Sequence, residues 1–217
     1  MTEEITTEVS KQLVNKASEF LEKIVNPPLK ELGGLLADKV KFLRFKNQIN
    51  IIIKAENFIR QKGIQPKKIP LKTLFPLLEY SSWEEDPDMQ TKWASLLANT
   101  VNPEYSHYIN LSYVEILNQL SPLEVKILDL MYDEYVSLGH HIKEIPYITF
   151  GKGFKDKICK RLNISSEKMN IIFDNLHRLN LIQPPIFHGK GVIGSRYYDA
   201  IQLTTLGYEF IKHCKFQ

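Results

Sequence analysis

The sequence predicts a mainly α-helical protein, and three observations carry that expectation. Apolar residues recur at three- and four-residue intervals along most of the chain, with Lys, Glu and Ser between them. Prolines and capping residues stand mostly between those periodic stretches, where they start and stop helices. One stretch alone, after Leu181, carries the glycine-punctuated, aromatic pattern of a β-hairpin.

Ile5, Val9, Leu13, Phe20 and Ile24 mark an amphipathic first helix. Asn26-Pro27-Pro28 stops it, because proline lacks an amide donor and biases its predecessor away from helix. A second helix is expected from near Leu29, with Leu32, Leu36, Val40 and Leu43 on one face. Gly33-Gly34 weakens its start. It continues through Ile49, Ile52, Ile53 and Phe58 to the stop signal Gly63-Ile64-Gln65-Pro66. Leu71, Leu74, Leu77 and Leu78 predict a short helix to Ser81, in which Pro76 is either tolerated near the first turn or a kink.

Asp86-Pro87-Asp88 is a helix start, with Asp86 as cap, Pro87 at the first helical position and Asp88 favourable to the dipole. The helix carries Met89, Trp93, Leu96 and Leu97 and closes at Val101-Asn102-Pro103. Trp83 and Trp93 are both expected in the core. Another helix is expected over Asn110 to Leu120. Ser121-Pro122-Leu123-Glu124 then resembles a capping box for a helix with Val125, Leu128, Met131 and Tyr132 on its buried stripe.

After a loop from His140 to Gly153, with a short extended piece over Ile145 to Phe150, Phe154, Ile158 and Leu162 predict a short helix. A turn at Asn163 to Glu167 leads into a second helix burying Met169, Ile172, Phe173, Leu176 and Leu179. The hairpin follows, and Leu203 to Phe210 forms a final turn or helix. The best internal boundary falls near Leu120, giving a helical region over residues 1–120 and a module over residues 121–217. The order helix, short helix, turn, helix, hairpin makes that module winged-helix-like: α-helical with a small β-hairpin. Its Leu181-Ile182 step and its Leu203-Thr204-Thr205-Leu206-Gly207 segment resemble the corresponding segments of many winged-helix proteins.

A winged helix raises the question of nucleic acid. The outward residues of its second helix would be Ser166, Lys168, Asn170, Ile171, Asn175 and Arg178. Lys168, Asn170 and Arg178 are suitable donors for a groove. Lys155, Lys157, Lys160 and Arg161 on the preceding helix, and Lys190 and Arg196 on the wing, are candidates for backbone phosphates. Ile171 and Asp174 argue the other way: an isoleucine gains little from a groove, and a carboxylate is repelled by phosphate. The competing reading is a winged helix used for protein contact.

The net charge of +3 does not decide the matter. It is zero up to Leu120 and +3 beyond, but the run from Lys39 to Lys68 holds nine basic residues against the single acid Glu56. Lys39, Lys41, Arg44 and Lys46 form a candidate basic stripe that can meet nucleic acid, an anionic membrane surface or an acidic protein. A solvated helix face explains it equally simply.

No recognisable catalytic or metal-binding pattern stands in the chain, and no cofactor is inferred. Cys159 and Cys214 fit no ligand spacing and read as reduced thiols of a cytoplasmic protein. The polar, acidic start MTEEITTEVS is no signal peptide. No apolar run approaches membrane-spanning length. His140-His141 lacks further ligands at a metal spacing. Helix capping accounts for the acids Glu84, Glu85, Asp86 and Asp88. No serine occupies a Gly-x-Ser-x-Gly elbow, and Gly151-Lys152-Gly153 and Gly189-Lys190-Gly191 are too short to cradle phosphates.

The run from Pro70 to Asn99, PLKTLFPLLEYSSWEEDPDMQTKWASLLAN, resembles the Abi-alpha (abortive infection alpha) family of bacterial proteins. The family's proline-leucine-leucine-glutamate step is matched by Pro76-Leu77-Leu78-Glu79. Its acidic segment is matched by Glu84-Glu85-Asp86, and its tryptophan helix by Trp93-Ala94-Ser95-Leu96-Leu97-Ala98. Glu115-Ile116-Leu117 and Leu120-Ser121-Pro122 also fit. The resemblance covers Leu29 to Leu130 well and the later module loosely. It implies a role in phage defence and brings no catalytic residue with it. The expected function is a non-enzymatic interaction protein that contacts a partner protein or itself, with nucleic-acid binding and a membrane-surface role as alternatives.

Overall fold

The computed structural model describes residues 2–24, 42–105, 110–137, 150–184 and 200–216. The chain is mainly α, with nine helices and a small antiparallel sheet among the described residues. It divides into two compact units, one formed by Met1–Leu120 with His213–Gln217 and the other by Ser121–Lys212.

The first unit contains α1 (Thr2–Ile24), α2 (Phe42–Gln61), α3 (Leu71–Ser81), α4 (Pro87–Val101) and α5 (Asn110–Asn118). Helix α2 packs along α4 and α1, and α3 packs against α5. Helix α4 is the centre: from Met89 to Val101 every residue except Thr91 and Lys92 is buried. A helix enclosed on nearly all sides needs small and polar residues that fit between neighbours. Ser95, Asn99 and Thr100 are those residues here. The Asp86 carboxylate caps α4 as its sequence predicts, accepting from the backbone N–H groups of Asp88 at 3.0 Å and Met89 at 2.9 Å. Helix α3 continues through Pro76 to Ser81.

Helix α2 ends in a Schellman cap. Gly63, at φ +64°, donates to the Arg60 carbonyl, and Ile64 donates to that of Ile59. The extended segment that follows is fastened at two points. Lys67 N–H donates to the Val101 carbonyl at 2.7 Å, and Ile69 N–H to that of Ile24 at 2.8 Å.

The second unit contains α6 (Pro122–Ser137), β1 (Phe150–Gly151), α7 (Lys152–Leu162), α8 (Ser166–Arg178), β2 (Ile182–Gln183), β3 (Ala200–Leu203) and α9 (Thr205–His213), whose last residue belongs to the first unit. The sheet order is β1-β3-β2, all antiparallel. Phe150 pairs with Ile201, and Ile182 with Leu203. β2 and β3 thus pair antiparallel, with β1 on the other edge of β3, while residues 185–199, on which the aromatic and glycine pattern of the expected hairpin stands, lie outside the described residues. The stripe predicted for α8, Met169, Ile172, Phe173 and Leu176, is buried, as is Leu179 beyond its end. Tyr132 and Tyr135 of α6 meet Tyr208 of α9 at ring-centroid distances of 5.4 and 5.2 Å. Burial and the neighbouring tyrosines raise the Tyr208 phenol far above its ordinary range, so it stays neutral.

Both turns around α8 use asparagine where a left-handed residue is needed. Asn163 at φ 51° and Asn180 at φ 56° each close the preceding helix with the same pair of backbone bonds as Gly63. Beyond Asn180 the chain is locked to the start of α9. Thr204 N–H donates to the Leu181 carbonyl at 3.0 Å, and its hydroxyl to the Asn180 carbonyl at 2.6 Å. The Thr204 hydroxyl also accepts from Gly207 N–H at 2.9 Å, capping α9.

Candidate interaction surface

The predicted box at the start of α6 is present and carries more than a cap. Glu124 accepts from Ser121 N–H at 2.7 Å, and Glu124 N–H donates to the Ser121 hydroxyl at 3.3 Å. The second Glu124 oxygen accepts from Asn175 Nδ2 of α8 at 2.6 Å. Glu124 is buried, so one carboxylate fixes both the beginning of α6 and the last turn of α8. Asn175 Oδ1 in turn accepts from Arg178 Nε at 3.0 Å and Nη2 at 2.8 Å. On the other flank, Lys155 of α7 donates to Asn170 Oδ1 at 2.6 Å.

These bonds correct the expected outward face of α8. Asn170 and Asn175 are half-buried and turned toward neighbouring elements. The exposed residues of the helix are Ser166, Glu167, Lys168, Ile171, Asp174 and Arg178. Ile171 is 69% exposed and stands among two acids and two bases. Its own backbone N–H and the Ser165 hydroxyl hold the Glu167 carboxyl below its usual range.

The remaining candidate cations divide. Lys157 pairs with Glu134 at 3.0 Å. Lys160 and Arg161, in the last turn of α7, and Lys168, in the first turn of α8, are exposed around the connecting turn. Lys190 and Arg196 lie outside the described residues, as do Lys39, Lys41, His140 and His141.

The basic run of the first unit is largely taken up inside that unit. Arg44 donates to Glu79 Oε1 at 2.5 Å and to the Ser82 hydroxyl at 2.8 Å, and its guanidinium lies 4.1 Å from the centre of the Trp83 ring. Lys54 reaches the Pro87 carbonyl, Lys67 the Tyr105 carbonyl and Lys68 the Glu22 carbonyl. Burial lowers the Lys67 ammonium from its ordinary range. Lys46 is exposed.

Trp83 is not in the core: it is 65% exposed, whereas Trp93 is 2% exposed. Its partner Arg44 is remote in sequence, so no local pattern in the loop signals the pairing. Of the acids beside it, Asp86 is occupied as a cap, and Glu84 Oε1 accepts from Asp86 N–H. Among the described residues no group of three His, Cys, Asp or Glu side chains is placed to hold a metal. None of the described helices is long and apolar enough to cross a membrane.

The class these observations define is a two-unit, mainly α protein whose most evident exposed feature is the mixed apolar and charged face of α8. The family model for abortive infection alpha matches residues 37–214, and the chain belongs to that family. Its role is accordingly associated with abortive infection. No curated protein and no solved structure matches the chain.

Proposed function

We propose that this chain is a non-enzymatic, cytoplasmic interaction protein of the abortive-infection response, and that its second unit is a winged helix used for protein contact. The helix–strand–helix–turn–helix–strand–strand order and the β1-β3-β2 sheet support the winged-helix reading. The observation that carries the contact reading is Ile171. A large apolar side chain, 69% exposed, occupies the face that a DNA reader would place in the groove. Glu167 and Asp174 flank it, and carboxylates there would oppose phosphate. An exposed apolar residue ringed by charges suits a protein partner.

A nucleic-acid reading has one observation of its own, the exposure of Lys160, Arg161 and Lys168 around the turn between α7 and α8. Fluorescence anisotropy of the full chain against duplex DNA and single-stranded RNA, at low and near-physiological salt, separates the two. The contact reading expects no appreciable binding at either salt. Tight binding that weakens steeply with salt, and that Lys160→Ala with Arg161→Ala flattens, would overturn it.

A further inference from the structure

Independently of the face of α8, we infer that the turn between α3 and α4 is a contact surface of the first unit, and that the open face of Trp83 takes an arginine from a basic segment of a partner protein. Burial ordinarily holds so large a ring inside, yet Trp83 is 65% exposed. The turn that presents it is fastened on both sides. Asn47 of α2 donates to the Ser82 carbonyl at 3.1 Å, and Gln90 of α4 donates to the Glu84 carbonyl at 2.9 Å. Ser82 is fully buried, and its hydroxyl donates to the Glu79 carbonyl at 2.6 Å. A side chain displayed on a backbone fixed in this way has less freedom to lose when it is bound.

The ring already carries one guanidinium. Arg44 lies 4.1 Å from its centre, held there by Glu79 and the Ser82 hydroxyl. With that face covered and most of the residue exposed, the other face is open to solvent. The charge around it is of one sign. Five acids, Glu79, Glu84, Glu85, Asp86 and Asp88, stand between Lys72 and Lys92 with no base among them. Glu79, Glu85 and Asp88 are exposed.

An exposed tryptophan commonly meets a nucleic-acid base, a membrane interface or a protein. Carboxylates oppose the phosphates of the first and the anionic headgroups of the second. They favour a cation on a protein. A quaternary ammonium is recognised by a cage of several rings, whereas Trp83 is the one exposed ring between Leu71 and Gln90. A guanidinium needs a single plane to stack on and a carboxylate beside it. Arg44 with Trp83 and Glu79 is that arrangement, made within the chain.

Fluorescence titration of the full chain tests this, at low and near-physiological salt, with a blocked peptide of alternating arginine and glycine as the probe. Trp93 is 2% exposed, so a change in emission reports mainly on Trp83. The peptide is expected to shift that emission and to bind more weakly as salt rises. It should bind about threefold or more tighter than a lysine–glycine peptide of the same length, which matches its charge but stacks less well. In anisotropy of the labelled peptide, Trp83→Ala weakens binding about tenfold or more. Glu85→Lys weakens it about threefold or more and flattens the salt dependence. Glu85 is exposed, so that variant decides the matter should Trp83→Ala fail to fold.

An arginine peptide that leaves the emission unchanged overturns the inference. So does binding indifferent to Trp83→Ala or to Glu85→Lys, or a lysine peptide that binds equally well. Anionic vesicles or a single-stranded oligonucleotide that shift the Trp83 emission where the peptide does not would also overturn it, and would assign the ring to lipid or to a base.

Discussion

A side chain on Gly207 would overlap the carbonyl oxygen of Leu181. The start of α9 crosses the strand-entry segment after α8 at backbone contact distance, and only hydrogen fits on that Cα. The neighbouring atoms are main chain, and Leu181 is already held by Thr204. Gly207→Ala therefore has no inexpensive relief. We expect it to cost about 3 kcal/mol or more, read as a large drop in thermal midpoint or loss of soluble protein.

Glu124 joins two helices with one carboxylate, so its replacement is felt in both. Glu124→Ala is expected to cost about 2–3 kcal/mol, since it removes a cap and leaves Asn175 without its acceptor. Asn175→Ala should cost about 1 kcal/mol. In a urea-denaturation double-mutant cycle the two should be clearly non-additive. Additive losses would mean the 2.6 Å bond contributes nothing.

Asn163 and Asn180 occupy the left-handed region that glycine adopts without strain. Asn180→Gly should be neutral or stabilise by up to about 1 kcal/mol, and Asn180→Ala should cost about 1 kcal/mol. The contrast between the two substitutions, measured by chemical denaturation, isolates the backbone effect from the side chain's.

The two tryptophans report separately on the first unit. Iodide should quench Trp83 and leave Trp93 largely untouched, and Trp83→Phe should remove the quenchable component. Arg44→Ala takes away the ring contact, the Glu79 pair and the Ser82 bond together. It should destabilise by roughly 1–3 kcal/mol and shift the Trp83 emission.

Local chemistry made much of this fold legible. Asp86-Pro87, Ser121 with Glu124, and the stripe from Met169 to Leu179 each depend on residues a few positions apart, and each stands as its sequence predicts. What the sequence hid depends on distant partners. Nothing near Trp83 says that Arg44 will lie against it. Nothing in the basic run says that Lys67 and Lys68 will reach the carbonyls of Tyr105 and Glu22. The extended piece ending at Phe150 was expected, but its pairing with Ile201, across α7 and α8, was not readable from its neighbours. At the candidate surface, the types of residue on α8 were readable. That Asn170 and Asn175 turn away while Ile171 stands out was decided by Lys155 and Glu124.

Asn99, buried in α4, donates to the carbonyls of His213 and Lys215, and His213 is enclosed by the rings of Tyr105 and Tyr113. The chain thus leaves the first unit at Leu120 and re-enters it at His213. During synthesis the ribosome must deliver the whole second unit before the first can be closed. Until then the Asn99 amide lacks its His213 and Lys215 acceptors, and Tyr105 and Tyr113 lack the His213 ring. The interior of the first unit thus depends on residues that lie beyond the second unit in sequence, and a chain cut between the two points would lack the carbonyls that Asn99 bonds.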